Sequence, residues 1–145
     1  MVDVPDRLMA KPSYLTTQLA GHVRQLVGDA FAETGARGYH YRLLAALDQF
    51  GPSSQADLGR RVSVDRSDVV AAINELVDSG QVERSPDPLD GRRNIIRITA
   101  GGRRQLRSLD GALDRVQERF LAPLSATDRR NYERLVRTLL AHLES

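Results

Sequence analysis

The chain has 145 residues and a formal net charge of +2, and its 41% hydrophobic and 28% charged content is typical of one folded domain over residues 1–145. It contains no cysteine, which excludes disulfides, thiolate catalysis, thiol redox sensing and cysteine-based zinc sites. No apolar run approaches the roughly 20 residues that span a bilayer, and the segment Met1–Ser13 lacks the core of a secretion signal, so we expect a cytoplasmic protein without a membrane partner.

Two amphipathic helices are predicted first. Apolar residues recur at three- and four-residue steps over Ser13–Glu33, which predicts a helix with Ser13 as its cap. A second helix is predicted over Tyr39–Phe50, and the Gly51–Pro52 pair stops it. Its leucines and Phe50 share one face, which indicates packing and not chemistry.

The next two predicted helices are short and closely joined. Ser54 is a candidate cap for a helix over Gln55–Val62, and Ser63–Val64 form a brief turn. Asp65 then caps a longer helix, whose apolar stripe ends at Gly80. A short helix, a tight turn and a second helix with a polar N-terminus form the helix-turn-helix arrangement, although any helical hairpin gives a similar pattern.

A basic hairpin is predicted after this pair. Gln81–Ser85 and Asn94–Thr99 predict two antiparallel strands across the eight-residue loop Pro86–Arg93. Six arginines and two aspartates give the segment Arg84–Arg104 a charge of +4. A hairpin tip with guanidinium groups suits phosphate or a narrow groove, whereas a solvated surface loop is the alternative for this segment alone. Combined with the helix-turn-helix, the hairpin predicts a winged helix.

The chain then returns to helix. Leucines at three- and four-residue intervals form a heptad-like seam up to Phe120, Pro123 breaks it, and Ser125 or Thr127 can cap a last helix with a leucine-rich stripe. These stripes exceed what a winged-helix core covers, so we expect a homodimer. Two-fold pairing would place two recognition helices about 34 Å apart and predicts an inverted-repeat DNA site. The alternative is a monomer whose last helices fold back onto the core.

The order and residues of these elements resemble the MarR (multiple antibiotic resistance regulator) family of bacterial transcription factors. The resemblance extends from Ser13 to Leu143 and is strongest from Ser54 to Gly102, in the run SQADLGRRVSVDRSDVVAAINELVDSGQVERSPDPLDGRRNIIRITAGG. It implies a mainly α fold with a small two-stranded β wing, in which a winged helix-turn-helix lobe over residues 39–100 is flanked by dimerisation helices over residues 13–34 and 102–144. It also implies a regulator that binds double-stranded DNA, most often a repressor that a ligand releases.

The resemblance assigns DNA contacts to the wing. Arg92 matches the wing arginine that enters the minor groove, Asp90 matches the acidic residue that orients it, and Arg93 is a phosphate contact. The physics agrees, because an arginine fixed by a carboxylate loses less side-chain entropy on binding and a narrow A·T groove concentrates negative potential.

The resemblance also assigns contacts to the helix-turn-helix, with Asp65 and Asp68 as caps. The positions where base edges are read are Arg66, Ser67, Val70 and Ala71. Val70 and Ala71 are apolar where the family often has polar or basic residues, so they touch thymine methyls or the protein reads few bases directly. The residues that match or flank phosphate-holding positions are Ser54, Gln55, Arg60 and Arg61. For the two arginines, a solvated surface charge is an equal alternative.

Many family members bind small aromatic or phenolic acids between the dimer helices and the DNA-binding lobe. The residues suited to such an effector are Tyr14, His22, Tyr39 and Tyr41, with His40 beside them and Arg24 or Arg42 as countercharge. The alternative is that the tyrosines are core edges or interface filler and that His22 is a satisfied packing residue.

An enzyme is not expected, because the sequence has no Gly-rich phosphate loop, nucleophile elbow or metal-ligand spacing. We also expect no cofactor and no metal. The Gly101–Gly102 pair is best interpreted as a strand-to-helix joint. A second hypothesis for the function is a winged helix that binds a protein through its hydrophobic flanks, without specific DNA binding.

Overall fold

The computed structural model describes residues 3–145, over which the chain forms seven helices and three strands. The helices are α1 (Asp6–Met9), α2 (Pro12–Ala32), α3 (His40–Phe50), α4 (Gln55–Val62), α5 (Arg66–Asp78), α6 (Ala100–Leu121) and α7 (Ala126–Leu143), and the strands are β1 (Ser53–Ser54), β2 (Val82–Asp87) and β3 (Asp90–Ile98). Met1 and Val2, which begin the predicted domain and the segment considered for a secretion signal, lie outside the described residues.

The helix caps agree with the sequence in two cases and differ in two. The hydroxyls of Ser54 and Ser125 accept the N–H groups of residues 57 and 128, so both serines cap their helices as predicted. Ser13 lies inside α2, because Pro12 takes the first helical position and Lys11 stands at the N-cap. Asp65 occupies the N-cap of α5, but its carboxylate makes no capping hydrogen bond.

The sheet is antiparallel with strand order β1-β3-β2. The mainly α winged-helix class is confirmed, but the wing has three strands instead of two, because Ser53–Ser54 pair with Ile95 and Ile96. The eight-residue loop is also wrong: β2 and β3 continue to a two-residue turn at Pro88–Leu89. The sequence does not indicate β1, because a strand of two residues is too short to show an alternating pattern. It does not indicate the outer ends of β2 and β3, because these contain a proline and charged residues that are typical of loops.

The register of the hairpin shifts near its tip. Pro86 pairs with Asn94 while Asp87 pairs with Asp90, so Gly91–Arg93 have no pairing partner on β2. Such a bulge releases the backbone from the ladder and redirects the side chains. The two adjacent wing arginines therefore project from an irregular segment of β3.

The core lies beneath the helix-turn-helix and the inner face of the sheet. Its most deeply buried side chains are Leu43, Leu44, Leu47, Leu58, Val69, Ile73, Leu76, Val82, Ile96 and Leu109. Phe50 does not join them as predicted: it is 55% exposed at the end of α3, and the Arg61 guanidinium lies over its ring, 4.5 Å from the centroid.

Four elements meet at one strand joint, formed by residues 80–82 and 98–102. Gly80, at φ +73°, ends α5, and the Gln81 N–H donates to the Leu76 carbonyl at 2.9 Å, which closes the helix. The Gln81 carbonyl then accepts the Thr99 N–H at 3.0 Å. The Thr99 hydroxyl donates to the Gly80 carbonyl at 2.6 Å and accepts the Gly102 N–H at 3.0 Å, which caps α6. The joint therefore connects α5, the wing and α6.

Helix α6 packs along α2 and α3, whereas α7 has no buried residue within residues 3–145. The exposed leucines of α7 are Leu135, Leu139, Leu140 and Leu143. The Phe120 and Tyr132 rings meet edge to face, with centroids 5.8 Å apart, where α6 passes into α7. Of the last helices that the monomeric alternative folds back onto the core, α6 packs there through Leu106 and Leu109, and α7 does not. Over the described chain, no helix is long and apolar enough to cross a membrane.

Gly102 tests how closely the strand joint is packed. A Cβ at this position would lie 2.1 Å from the Gln81 carbonyl oxygen, so Gly102→Ala is expected to lower the free energy of unfolding by about 2 kcal/mol or more. Urea denaturation at fixed protein concentration measures the change.

Gly111→Ala is the matched control in the same helix. A Cβ at Gly111 meets only the end of the Arg115 side chain, at 3.8 Å. This substitution is expected to stabilise the protein by about 0.5–1 kcal/mol through helix propensity. Equal responses of the two variants would contradict a close contact at the joint.

Candidate nucleic-acid interface

The outer face of α5 begins with polar residues and continues with small apolar ones. The buried residues of α5 are Val69, Ala72, Ile73 and Leu76, and they face the core. The opposite face of the helix is exposed. The predicted base-reading residues Arg66, Ser67, Val70 and Ala71 are all exposed on this helix. The face therefore offers one guanidinium, one hydroxyl and a short apolar surface.

A groove of about 770 Å³ lies between α4, the first half of α5 and the irregular segment of β3 near the wing tip. Of the predicted DNA-contact residues, the structure brings together around it Ser54, Gln55, Arg60, Arg66, Val70, Arg92 and Arg93. Arg61, Ser67, Ala71 and Asp90 do not line it. The lining residues that the sequence reasoning missed are Ala56, Gly59, Ser63, Val64, Asp65, Val69 and Asn94. Of these, Asn94 carried a signal, because a polar residue directly after two arginines continues the basic segment.

The Arg92 side chain is hydrogen-bonded at Nε, and its two terminal nitrogens are free. Its Nε lies 3.2 Å from the Asp90 Oδ1, and its backbone N–H donates to the same oxygen at 3.1 Å. The side chain is nevertheless 92% exposed, so both terminal nitrogens face solvent. These bonds from Arg92, and the charge of Arg93, lower the pKa of Asp90.

The Arg93 side chain is paired through one of its terminal nitrogens. Its Nη2 lies 3.8 Å from the Asp57 Oδ2, and the Asp57 carboxylate also binds Arg60 one turn along α4. Because Asp57 belongs to α4, this carboxylate connects the helix-turn-helix to the wing. The neighbouring wing arginines thus differ: Arg92 presents its forked end outward, and Arg93 turns one terminal nitrogen toward the protein.

Three of the predicted phosphate-holding residues have structural partners, and for Arg60 the partner is the Asp57 carboxylate. The Ser54 side chain is almost fully buried, and its hydroxyl accepts the Asp57 N–H at 3.2 Å as the cap of α4. Arg61 stacks on Phe50, away from the groove. Gln55, at the first position of α4, remains partly exposed on the groove.

The four predicted effector residues lie on two helices and have different surroundings. Tyr14 and His22 are on α2, and His22 is exposed. Tyr39 precedes α3 and lies under the Arg42 guanidinium, 5.9 Å from its ring centroid. No hydrogen bond or ring contact within residues 3–145 joins any two of the four side chains.

Tyr41 makes the strongest of these contacts. Its hydroxyl donates to the Asp110 Oδ1 of α6 at 2.6 Å, and its ring packs against Phe31 with centroids 5.7 Å apart. The hydrogen bond to Asp110, followed by burial, raises the pKa of Tyr41 to about 12. Tyr41 therefore ties α3 to α6 and keeps its proton at neutral pH.

His40, considered beside the effector set, is buried and takes a structural position. Its Nδ1 accepts the Arg37 N–H at 3.2 Å, and its Nε2 lies 3.0 Å from the Glu75 Oε2 on α5. These partners assign the ring proton to Nε2, which donates to Glu75. The Arg37 Nη1 approaches the other Glu75 oxygen at 3.4 Å. His40 is thus a strut between the turn that follows α2 and the recognition helix.

Within residues 3–145, no group of three or more His, Cys, Asp or Glu side chains has an arrangement that would hold a metal ion.

Comparison with known proteins gives one consistent result. A family model described as MarR family matches residues 34–93. The chain is 33% identical over 114 residues to the uncharacterized HTH-type transcriptional regulator YdgJ of Bacillus subtilis, which spans 78% of this chain and 69% of that protein. It is 33% identical over 86 residues to the HTH-type transcriptional repressor NicR of Pseudomonas putida, which spans 59% of this chain and 54% of that protein.

A solved structure gives the same result over almost the whole chain. The PcaV transcriptional regulator from Streptomyces coelicolor, in complex with its natural ligand, superposes with a TM-score of 0.78 at 30% sequence identity. The match covers 97% of this chain and 98% of that chain.

The Asp90–Arg92 contact predicts how Asp90 titrates. Arg92→Ala removes the largest cause of the lowered pKa, so the pKa of Asp90 is expected to rise toward its ordinary value of 3.8. Because the folded pKa is depressed, the contact is present at neutral pH and is lost as the pH falls through that pKa. NMR titration of the carboxyl carbons measures the shift. Arg84→Ala, elsewhere on the hairpin, is the control and should leave Asp90 unchanged; the same pKa in all three proteins would contradict the contact.

Proposed function

Because the chain belongs to the MarR family of transcriptional regulators, we propose that it represses transcription by binding an inverted-repeat DNA duplex as a homodimer. The observation that carries the proposal is the groove between α5 and the wing, which collects Arg66, Arg92 and Arg93 on one side of the lobe. Guanidinium groups arranged along a groove match the phosphates and base edges of a duplex. The repressor NicR, 33% identical over part of its length, supports the mode of regulation.

Sequence is read by the exposed face of α5. Arg66 binds guanine through its forked end, and Ser67 binds a base edge or a phosphate. Val70 and Ala71 contact thymine methyl groups. Asp65 and Asp68 stay clear of the phosphates, since a carboxylate facing a phosphate is repelled. With one guanidinium and two apolar residues on this face, much of the selectivity comes from DNA shape.

The wing supplies the contact outside the major groove. Arg92 enters the minor groove with its free terminal nitrogens, and Asp90 holds the base of the side chain in place. Arg93 uses its remaining terminal nitrogen for a phosphate. An arginine that is already oriented loses less conformational entropy when it binds.

Helix α4 provides further contacts to the phosphate backbone of the DNA. Gln55 and Arg60 contact the phosphate backbone from the edge of the groove. Ser54 acts indirectly, because its cap orders the amides at the N-terminus of α4. Arg61 adds positive charge from its position on Phe50.

Dimerisation uses the helices that flank residues 39–100. We assign this role to residues 13–34 and 102–144, since the leucine stripe of α7 is exposed in the single chain. Burying such a stripe against a second copy removes several apolar side chains from water. Two-fold symmetry then repeats α5 and the wing on the second half-site.

A small aromatic acid is the proposed effector, bound beside α2 and α3. The PcaV regulator, solved with its natural ligand and 30% identical over nearly the whole chain, supports the existence of an effector. Tyr14 and His22 on α2 contact the ring, with Tyr39 and Tyr41 at its border. Because Asp110 holds the Tyr41 hydroxyl and would repel an acidic group, the acid group faces Arg24.

The DNA-binding proposal is tested with the purified full-length chain and fragments of its source genome. Selection for bound duplexes is expected to enrich an inverted repeat, and a panel of aromatic acids is expected to release it. Arg92→Ala should weaken binding to the enriched duplex at least about tenfold and reduce the salt dependence of log K by about one unit per contact. Fluorescence anisotropy across a salt series measures both quantities.

Arg7→Ala, at an exposed arginine of α1 outside the groove and outside the proposed dimerisation helices, is the matched control. It removes the same charge and should leave the affinity close to that of the unaltered protein. Failure to enrich any inverted repeat at moderate salt would overturn the proposal, and an absence of salt-dependent duplex binding would favour a protein-binding module instead.

The dimer is tested by placing a charge in the leucine stripe. Leu139, 61% exposed in the single chain, lies at the centre of the stripe, so Leu139→Glu would bury a carboxylate in the interface. The variant is expected to sediment as a 16.1 kDa monomer at micromolar concentration, where the unaltered protein has twice that mass.

Ala141→Glu introduces the same side chain on the opposite face of α7 and should remain dimeric. A monomeric unaltered protein, or dissociation of both variants alike, would contradict this interface. Sedimentation velocity separates these outcomes.

A further inference from the structure

The tip of the wing is apolar although its surroundings are charged. The turn between β2 and β3 consists of Pro88 and Leu89, and Leu89 is 96% exposed, more than any other large hydrophobic side chain in residues 3–145. A single exposed leucine on an ordinary surface requires no explanation. This one stands at the end of the element that carries Arg92.

The tip is held in one shape by its own side chains. The Leu89 N–H donates to the Asp87 Oδ1 at 2.9 Å, and the Arg92 N–H donates to the Asp90 Oδ1 at 3.1 Å. Both are local turns in which an aspartate accepts a backbone N–H two residues further on. Pro88 fixes its own φ between them. Leu89 is therefore presented by an ordered turn, and little backbone entropy remains to be lost on binding.

The net charge of the wing tip does not favour the binding of phosphate groups there. From Asp87 to Arg93 there are two aspartates and two arginines, so this stretch is neutral overall. A neutral tip with an apolar end is better suited to the walls of the minor groove, where the C–H groups of the deoxyribose rings are exposed. Minor-groove proteins commonly bring apolar side chains such as leucine or proline into this groove, often as wedges at base steps.

We propose that Leu89 packs against the sugar walls of the minor groove next to Arg92, and so adds an apolar, salt-independent part to DNA affinity. This inference rests on the proposed function, because it assumes that the wing meets DNA. In this arrangement Arg92 responds to the negative electrostatic potential of the minor groove, and Leu89 responds to the width of the groove.

The test compares isosteric substitutions in the full-length protein on the duplex enriched by selection. Leu89→Asn keeps the approximate size and removes the apolar surface, and it is expected to weaken binding at least about tenfold at every salt concentration, since each dimer has two tips. Leu89→Met keeps an apolar side chain and should bind as the unaltered protein does. The slope of log K against log salt should stay the same in both variants, unlike in Arg92→Ala.

Each outcome decides the question. Equal affinity of Leu89→Asn and the unaltered protein overturns the inference and leaves the proposed function intact, because the unaltered protein still binds. If Leu89→Asn instead loses repression in cells without losing duplex affinity, the tip contacts a protein and the inference is wrong. If the unaltered protein binds no duplex, the proposed function and this inference both fail. Urea denaturation of the variants checks that the fold is unchanged.

Discussion

The close approach of α6 to the Gln81 carbonyl, which leaves no room for a Cβ at Gly102, constrains how the DNA-binding lobe and the long helix are joined. At this strand joint the recognition helix ends, the wing begins and ends, and α6 starts, all within hydrogen-bond distance of Thr99. No side chain fits between α6 and the backbone of β2, so the long helix leaves the lobe at one angle. The distance between the two copies of α5 in the proposed dimer follows from that angle. A shift of α6 must therefore move the recognition helix and the wing together.

Residues of the same type differ in function here because of which of their atoms are engaged. Arg92 is held through Nε and keeps both terminal nitrogens, whereas Arg93 places a terminal nitrogen near Asp57 and Arg61 stacks on an aromatic ring. The family resemblance assigns Arg92 and Arg93 different roles, but residue type alone presents the three arginines as equivalent basic residues. The structure ranks them by the donors that remain, and Arg92 ranks first. Net charge near a groove is thus a weaker guide to contacts than the geometry of each guanidinium.

Local signals predicted most of the fold, and contacts between distant residues account for what they missed. The serine caps at Ser54 and Ser125 and the glycine stop at Gly80 place the helix ends correctly because capping is decided within four residues. The third strand depends on the pairing of Ser53 with Ile96, which no local pattern reports. The groove could be anticipated only as a set of arginines, since their meeting depends on the hairpin register. The His40–Glu75 strut spans 35 positions, so nothing around His40 indicates its partner.

The exposed leucine stripe of α7 also affects the cellular concentration that the protein requires. In the proposed dimer, a helix with no buried residue in the single chain would gain most of its apolar contacts from the second copy, so its order would depend on protomer concentration. At low abundance, newly made chains carry an exposed leucine surface of the kind that chaperones and proteases recognise. Abundance above the dimerisation threshold would protect the chains from degradation. The same stripe would then set both the lifetime of the protein and the dose at which its target genes are silenced.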